Sequence, residues 1–214
     1  MSRSDIIILL DRSCSMQARK ADHEGGLRSF VNDSKNLDAE IRLTFVQFDS
    51  VNLCEVVIDQ QPIADVSPDQ IILTPRGGTP LLDAVGEVIS RFSSVCSPET
   101  IFMIITDGEE NSSTKHDKKK IQELVKERET AGWKILYLGA NVDEFAEAAG
   151  LGLGTNQTLG YRDTSSRVNH LYNAVLSNAS ATYASLSMGA SWKQATTKMD
   201  WSETQRKDVK EEEK

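Results

Sequence analysis

Three short runs of consecutive apolar residues stand out along the chain. They cover residues 6–10 (IIILL), 101–105 (IFMII) and 135–138 (ILYL). Short apolar runs that are rich in β-branched and aromatic residues are typical of strands buried on both faces, as in a parallel sheet covered by helices. The pattern therefore predicts three central strands.

Two further segments, residues 41–48 and 53–60, also have the composition of strands. Only residues 49–52 separate them, and four residues are too few for the crossover that joins parallel strands. We therefore expect an antiparallel hairpin at one edge of the sheet.

Apolar residues that recur at intervals of three and four predict helices between the strands. Thr164 precedes the longest of these helices and is its expected N-cap. Gly25 and Gly26 lie near the expected start of the weakest one. The apolar positions of the four segments fall within residues 27–31, 81–92, 121–132 and 168–183.

Alternating strands and helices predict an α/β fold, a doubly wound, Rossmann-like open sheet with helices on both faces. The sheet should be mostly parallel, with one antiparallel edge strand. A chain of 214 residues suits one large domain, which we assign to residues 1–190. Residues 191–214 form a charged extension, expected to be disordered from about residue 202. Trp192 and Trp201 in this extension either dock a partner or pack back on the sheet.

Charge and hydropathy narrow the possible partners. The net charge is −8, and the basic run at residues 118–120 fits a solvated helix face, so we expect no nucleic-acid binding. Neither a signal-peptide core nor an apolar stretch of membrane-spanning length is found, which favours a cytoplasmic protein without a membrane partner. Cys14, Cys54 and Cys96 are an odd, sparse set and are expected to be free thiols.

Candidate chemistry lies where two of the apolar runs end. Asp11 follows the first run within the sequence Asp11-Arg12-Ser13-Cys14-Ser15, and Asp107 follows the run at 101–105. In an open parallel sheet, ligands bind beyond the carboxyl ends of the strands. Two carboxylates placed there repel each other unless a cation lies between them. The hydroxyls of Ser13 and Ser15 complete an oxygen-rich site that suits Mg²⁺ or Mn²⁺ rather than zinc.

A third element is the sequence Gly77-Gly78-Thr79-Pro80. Its glycines allow a tight loop, and Thr79 would present another hydroxyl at the same rim. Thr79 followed by Pro80 is also an ordinary start of a helix, with the threonine at the N-cap and the proline at the first helical position.

Together these three elements resemble the metal-ion-dependent adhesion site of von Willebrand factor A domains. Asp11-x-Ser13-x-Ser15, Thr79 in its Gly-Gly-Thr-Pro loop and Thr106-Asp107-Gly108 occur in the family's order, each aspartate after an apolar strand. The resemblance covers about residues 5–186, and it is closest to the stand-alone bacterial and phage members of the family.

The resemblance implies that Ser13, Ser15 and Thr79 coordinate the metal directly or nearly so. Asp11 and Asp107 would hold it partly through water, and an Asp or Glu of a protein partner would fill the open position. The expected function is therefore metal-dependent protein binding, with no catalytic residue. The partner's identity and the oligomeric state stay open.

Two other functions remain possible from the sequence. The first is a magnesium-dependent phosphotransfer or hydrolase enzyme, since such enzymes also place an aspartate after the first strand. They generally need a second carboxylate two residues on, where this chain has Ser13. The second is an assembly role in which the metal only stabilises the fold.

Glu109 and Glu110 are expected to lie in a solvated loop.

Overall fold

The computed structural model describes residues 3–140, 144–162 and 164–210, with only the backbone of Lys210. Short 3₁₀ turns connect several of the regular elements. The strands are β1 (Ser4–Asp11), β2 (Ile41–Phe48), β3 (Glu55–Pro62), β4 (Thr100–Thr106), β5 (Lys134–Ala140) and β6 (Thr158–Tyr161). The helices are α1 (Lys20–Ser34), α2 (Leu81–Phe92), α3 (Lys118–Thr130), α4 (Glu144–Gly150), α5 (Ser165–Ser187), α6 (Trp192–Ala195) and α7 (Glu203–Lys210).

The strands form one sheet in the order β3-β2-β1-β4-β5-β6. All neighbouring pairs are parallel except β2 and β3, which form the expected antiparallel hairpin at one edge. The chain leaves β1 first towards β2 and later returns to its other side as β4. The strand order therefore reverses between β1 and β4. The predicted fold class is confirmed.

Side chains of successive residues on β1 enter two separate cores. Ile6, Ile8 and Leu10 face a layer that contains α1 and α5, whereas Ile7 and Leu9 face a layer that contains α2 and α3. Because both faces of the strand are covered, the sequence shows a continuous apolar run instead of alternation.

Helix α1 begins at Lys20, so Gly25 and Gly26 lie in its middle and not near its start as predicted. The reason is a close approach between helices. A Cβ atom on Gly26 would lie 2.1 Å from Cδ2 of Tyr172 on α5. The glycine lets α1 and α5 pack at a distance that a larger residue would prevent.

The C-terminal segment folds onto the sheet edge at β6. Where the sequence predicts disorder from about residue 202, the structure has helix α7, and its Val209 is buried. The Arg162 N–H donates to the Val209 carbonyl at 3.0 Å, and Arg206 donates to the Thr158 carbonyl at 2.8 Å. The Arg206 bond occupies a carbonyl of the edge strand β6, and the Arg162 bond lies directly after that strand. Residues 211–214 lie outside the described residues, and the domain boundary at 190 stays a prediction.

Both tryptophans of the extension pack back on the domain. The indole N–H of Trp192 donates to the Gly132 carbonyl at 2.6 Å, and Trp201 is buried beside the α5 layer. Of the two roles that the sequence left open for this segment, the structure has the packing role.

Two predicted helix starts differ in detail from the structure. Thr164 occupies the N-cap position of α5, but its side chain makes no capping hydrogen bond. Pro80, predicted at the first helical position, is itself the N-cap of α2. Among the described residues no helix is both long and apolar enough to cross a membrane.

Candidate metal centre

The candidate site lies at the carboxyl ends of β1 and β4, where the strand order reverses. Leu10 pairs with Ile105, so Asp11 and Thr106 are the next residues on the two strands. The Thr106 hydroxyl donates to Asp11 Oδ2 at 2.7 Å. This places Asp11 and Asp107 at the same edge, as the sequence predicts.

A chain of short hydrogen bonds runs through the loop after β1. The Ser13 N–H donates to Asp11 Oδ1 at 2.6 Å, and the two hydroxyl oxygens of Ser13 and Ser15 lie 2.9 Å apart. The Ser15 hydroxyl in turn donates to Asp107 Oδ1 at 2.6 Å. Four of the five predicted site residues are thus linked directly to one another.

Thr79 reaches the same cluster from the loop before α2. Its N–H donates to Asn111 Oδ1 at 2.9 Å, and its carbonyl accepts from the Asn111 N–H at 3.1 Å. This reciprocal pair joins the Thr79 loop to the loop after β4. Thr79 is buried and lies one residue before Pro80, which takes the N-cap position of α2 that the sequence offered to Thr79.

Gly108 marks the point at which the oxygen atoms converge. A Cβ atom built on Gly108 would lie 3.2 Å from Thr79 Oγ1, 3.6 Å from Ser15 Oγ and 3.9 Å from Asp11 Oδ2. Oxygen atoms from two chain segments, the end of β1 with its following loop and the loop before α2, therefore lie around the position that a side chain on Gly108 would take.

Burial makes the carboxyl group of Asp11 costly to ionise. Asp11 is 0% exposed, and desolvation raises its pKa to about 6, although hydrogen bonds from Ser13 and Thr106 lower it. The neighbouring charge of Asp107 raises this pKa further. Among the described residues no Lys, Arg or His side chain forms an ion pair with Asp11. A cation at this site would supply the missing charge.

The donor set fits a hard divalent cation. Among the described residues, no three His, Cys, Asp or Glu side chains are placed to hold a metal by themselves, so a metal here would also need the hydroxyl groups as ligands. Two carboxylates and three hydroxyls are the oxygen donors that Mg²⁺ and Mn²⁺ accept, whereas structural zinc sites use mostly sulfur and nitrogen.

An ion cluster lies beside the loop after β1, with Arg12 and Asp49 buried and Glu55 and Arg76 partly exposed, and sequence reasoning missed it. The Arg12 guanidinium, 2% exposed, donates to Asp49 Oδ2 and to Glu55 Oε2, both at 2.5 Å. Arg76 Nε donates to the same Asp49 oxygen at 3.0 Å. The Arg12 guanidinium holds the pKa of Glu55 below its usual range, and hydrogen bonds from Asn52 and Arg12 do the same for the pKa of Asp49 against the effect of burial.

The sequence predicts a solvated loop at Glu110, but the structure shows this side chain partly buried. Its carboxylate accepts four hydrogen bonds, from the N–H groups of Leu82, Ser112 and Ser113 and from the Ser113 hydroxyl, at 2.7–2.9 Å. The Leu82 bond caps the N-terminus of α2. Glu110 thus fixes the loop after β4 against the helix that follows Thr79.

Asp83 on α2 also ties this helix to the loop after β4. It is buried and accepts from the N–H groups of Thr114, Lys115 and His116 at 2.8–3.1 Å. Burial alone would raise the pKa of Asp83, but these donors hold it below its usual value. No short sequence pattern could have indicated how these residues join the loop to α2, because the Asp83 partners and the Leu82 partner of Glu110 come from distant segments.

The remaining residues with reactive side chains lie apart from the cluster or at its rim. Cys14 is an exposed free thiol within the loop after β1. His23 is buried on α1, with Nδ1 2.9 Å from the Tyr172 hydroxyl and Nε2 3.3 Å from the Tyr161 hydroxyl. It belongs to the α1–α5 interface and has no nucleophile beside it among these contacts.

The strand order, the antiparallel edge and the layered helices define a von Willebrand factor A fold. The structure of a von Willebrand factor type A protein from Catenulispora acidiphila superposes with a TM-score of 0.60 at 15% identity, over 84% of this chain and 43% of that one. The von Willebrand factor domain of the type V pilus tip protein Mfa5 from Porphyromonas gingivalis gives 0.63 at 12% identity, over 88% and 96% of the two chains.

A third similar structure carries a metal. Proximal thread matrix protein 1 from the mussel byssus, solved with zinc in its adhesion-site motif, gives a TM-score of 0.63 at 20% identity over 83% of this chain. The present chain spans 48% of that protein. No protein-family model and no curated protein sequence matches the chain.

Proposed function

We propose that the cluster binds one divalent cation and that the bound cation binds a protein. Ser13, Ser15 and Thr79 would coordinate the cation directly or nearly so, and Asp11 and Asp107 would hold it partly through water. The observation that carries the proposal is the convergence of the Asp11, Ser15 and Thr79 oxygen atoms beside Gly108, with Asp107 bonded to Ser15.

The charge balance favours a cation that still seeks an anionic ligand. Two carboxylates match the charge of a divalent ion, but each is weakened as a ligand if water lies between it and the metal. One coordination position would then accept an Asp or Glu side chain of the partner. Mg²⁺ and Mn²⁺ are the cations that we propose, because the donors are hard oxygen atoms.

We favour binding over catalysis because the cluster lacks the second carboxylate, two residues after the first aspartate, that phosphotransfer enzymes use as general acid or base. Ser13 stands where a phosphotransfer enzyme would have its second carboxylate, and its hydroxyl cannot exchange protons at neutral pH in that way. Glu110 follows Glu109 in the loop after β4, and its carboxylate already accepts four hydrogen bonds.

Calorimetric titration of Mg²⁺, Mn²⁺ and Zn²⁺ into chelator-stripped protein tests the metal site. We expect saturable binding at one site, lost in a variant with Ser13→Ala and Ser15→Ala and in Asp11→Ala. Tighter binding of Zn²⁺ than of Mn²⁺ at the same residues would correct the metal. No binding at millimolar metal would refute the site.

Circular dichroism of Asp11→Ala and Asp107→Ala separates a binding metal from a structural one. We expect both variants to keep their secondary structure without the cation. Loss of secondary structure together with metal would favour the structural role.

The predicted cytoplasmic location stays a prediction.

The protein-binding step is tested on a complex captured with Mn²⁺ present. A chelator should release the partner, and neutralising one acidic side chain of the partner should prevent its capture. A partner that stays bound to the chelator-treated protein would exclude coordination through the metal.

A further inference from the structure

We propose that Arg12 is a positioning residue, which sets the distance between the loop after β1 and the loop that carries Thr79. The inference rests on the proposed function, because its consequence is metal affinity. Arg12 lies between Asp11 and Ser13 in sequence, yet its guanidinium turns to Asp49 and Glu55 and not to the hydroxyl cluster.

Arg12 is bonded through its backbone as well as its side chain. Its N–H donates to the Phe48 carbonyl at 3.0 Å, and its carbonyl accepts from the Arg76 N–H at 2.8 Å. Two residues after Arg12, the Cys14 N–H donates to the Gly77 carbonyl at 3.1 Å. The loop after β1 is thus held against β2 on one side and against the Thr79 loop on the other.

Asp49 connects the two loops through one carboxylate. Its Oδ2 accepts from both Arg12 and Arg76, and its Oδ1 accepts from the N–H groups of Val51 and Asn52 at 2.6 and 2.8 Å. Because both arginines bond the same oxygen, a movement of either loop would break a bond. The carboxylate therefore adds a side-chain constraint to the backbone bonds that hold the two loops together.

Stability alone does not explain the buried Arg12–Asp49 ion pair at the centre of the cluster. Apolar residues of similar volume often stabilise a fold as well as a buried ion pair does, whereas an ion pair specifies one arrangement. The cluster is also electrically balanced, with two guanidinium groups and two carboxylates. It can therefore order the loops without adding net positive charge beside a site for a cation.

The test is the double variant Arg12→Met with Asp49→Asn, which removes one positive and one negative charge together. The amide oxygen that replaces the carboxylate at this position can still accept from the N–H groups of Val51 and Asn52, so neither an unpaired charge nor an open turn is left behind. Arg42→Met with Asp5→Asn is the matched control. Arg42 Nε donates to the buried Asp5 at 2.7 Å, and this pair lies at the opposite end of the sheet.

Two measurements distinguish positioning from general stability. In metal-free protein, amide exchange at Cys14 and Arg76 should accelerate at least about tenfold in the Arg12/Asp49 variant and stay unchanged in the control. The dissociation constant for Mn²⁺ should rise about 10–100-fold in the Arg12/Asp49 variant alone, as for loss of groups that orient metal ligands.

A wild-type dissociation constant for the Arg12/Asp49 variant would overturn the positioning role while leaving the proposed function intact. An equal loss of Mn²⁺ affinity in the Arg42/Asp5 control would also overturn it, since the effect would then be general destabilisation. If the unaltered protein binds no Mn²⁺, both proposals fall.

Discussion

The Ser15 hydroxyl donates a 2.6 Å hydrogen bond to Asp107 Oδ1, a residue 92 positions further along the chain. The bond joins the loop after β1 to the end of β4 across the point where the strand order reverses. Two of the proposed metal-binding residues are therefore held in direct contact. Such preorganisation lowers the cost of ordering the site when a cation binds.

Ser15→Ala should therefore weaken Mn²⁺ binding in two ways, through the loss of a hydroxyl ligand and of the bond to Asp107. We expect the dissociation constant to rise at least about 10–100-fold, the range seen when groups that orient metal ligands are removed. Calorimetry measures the affinity. Ser29→Ala, which removes an exposed hydroxyl on α1, is the control and should bind Mn²⁺ like the unaltered protein.

Gly108→Ala tests the space at the centre of the cluster. The added methyl group would lie 3.2 Å from Thr79 Oγ1 and 3.6 Å from Ser15 Oγ. The 3.2 Å contact requires the Thr79 hydroxyl to shift by a few tenths of an ångström, and the methyl group occupies the volume that the oxygen atoms surround. We expect Mn²⁺ affinity to fall more than about tenfold with little change in the unfolding midpoint. If the variant binds Mn²⁺ with unchanged affinity, the cation does not lie beside Gly108.

The fold was predictable where the pattern of residues is strong. The buried strands β1, β4 and β5 appear as continuous apolar runs, and the hairpin follows from the short link between its strands. Strand β6 has only four residues, among them a threonine and a glycine, and it is defined by pairing with β5. Helix α7 is mostly charged, and its buried Val209 gives no periodic signal.

The candidate site was predictable only in its innermost residues. Asp11 and Asp107 follow apolar runs, and strand order then brings them together. The roles of Arg12, Asp83 and Glu110 depend on partners from distant segments. A buried arginine or glutamate cannot be told from a solvated one until those partners are known.

Two adjacent glycines in α1 should respond to alanine in opposite directions. Gly25→Ala meets no atom within 4 Å and should stabilise the helix by about 0.5–1 kcal/mol. Gly26→Ala places a methyl group against the Tyr172 ring and should destabilise the protein by about 1–3 kcal/mol. Urea unfolding measures both. Equal effects of the two substitutions would contradict the close approach of α1 and α5.

The buried His23 should make the stability of the protein fall in mild acid. Burial lowers its pKa to about 4, against 6.5 in the unfolded chain, although the charge of Asp22 raises it slightly. The folded state therefore favours the neutral imidazole, and its contribution is complete above pH 6.5. It is lost progressively as the pH falls from 6.5 to 4, by up to about 3 kcal/mol.

His23→Gln isolates this effect, because glutamine can still bond a tyrosine hydroxyl but does not titrate. Asp11 contributes with the opposite sign in metal-free protein, since its pKa is raised to about 6 and its neutral form is favoured on folding. That contribution is common to both proteins and cancels in their difference. Unfolding free energies measured in urea between pH 4 and 7 should therefore fall more steeply with acid in the unaltered protein than in the variant. Parallel curves would mean that His23 is protonated in the folded state or exposed to water.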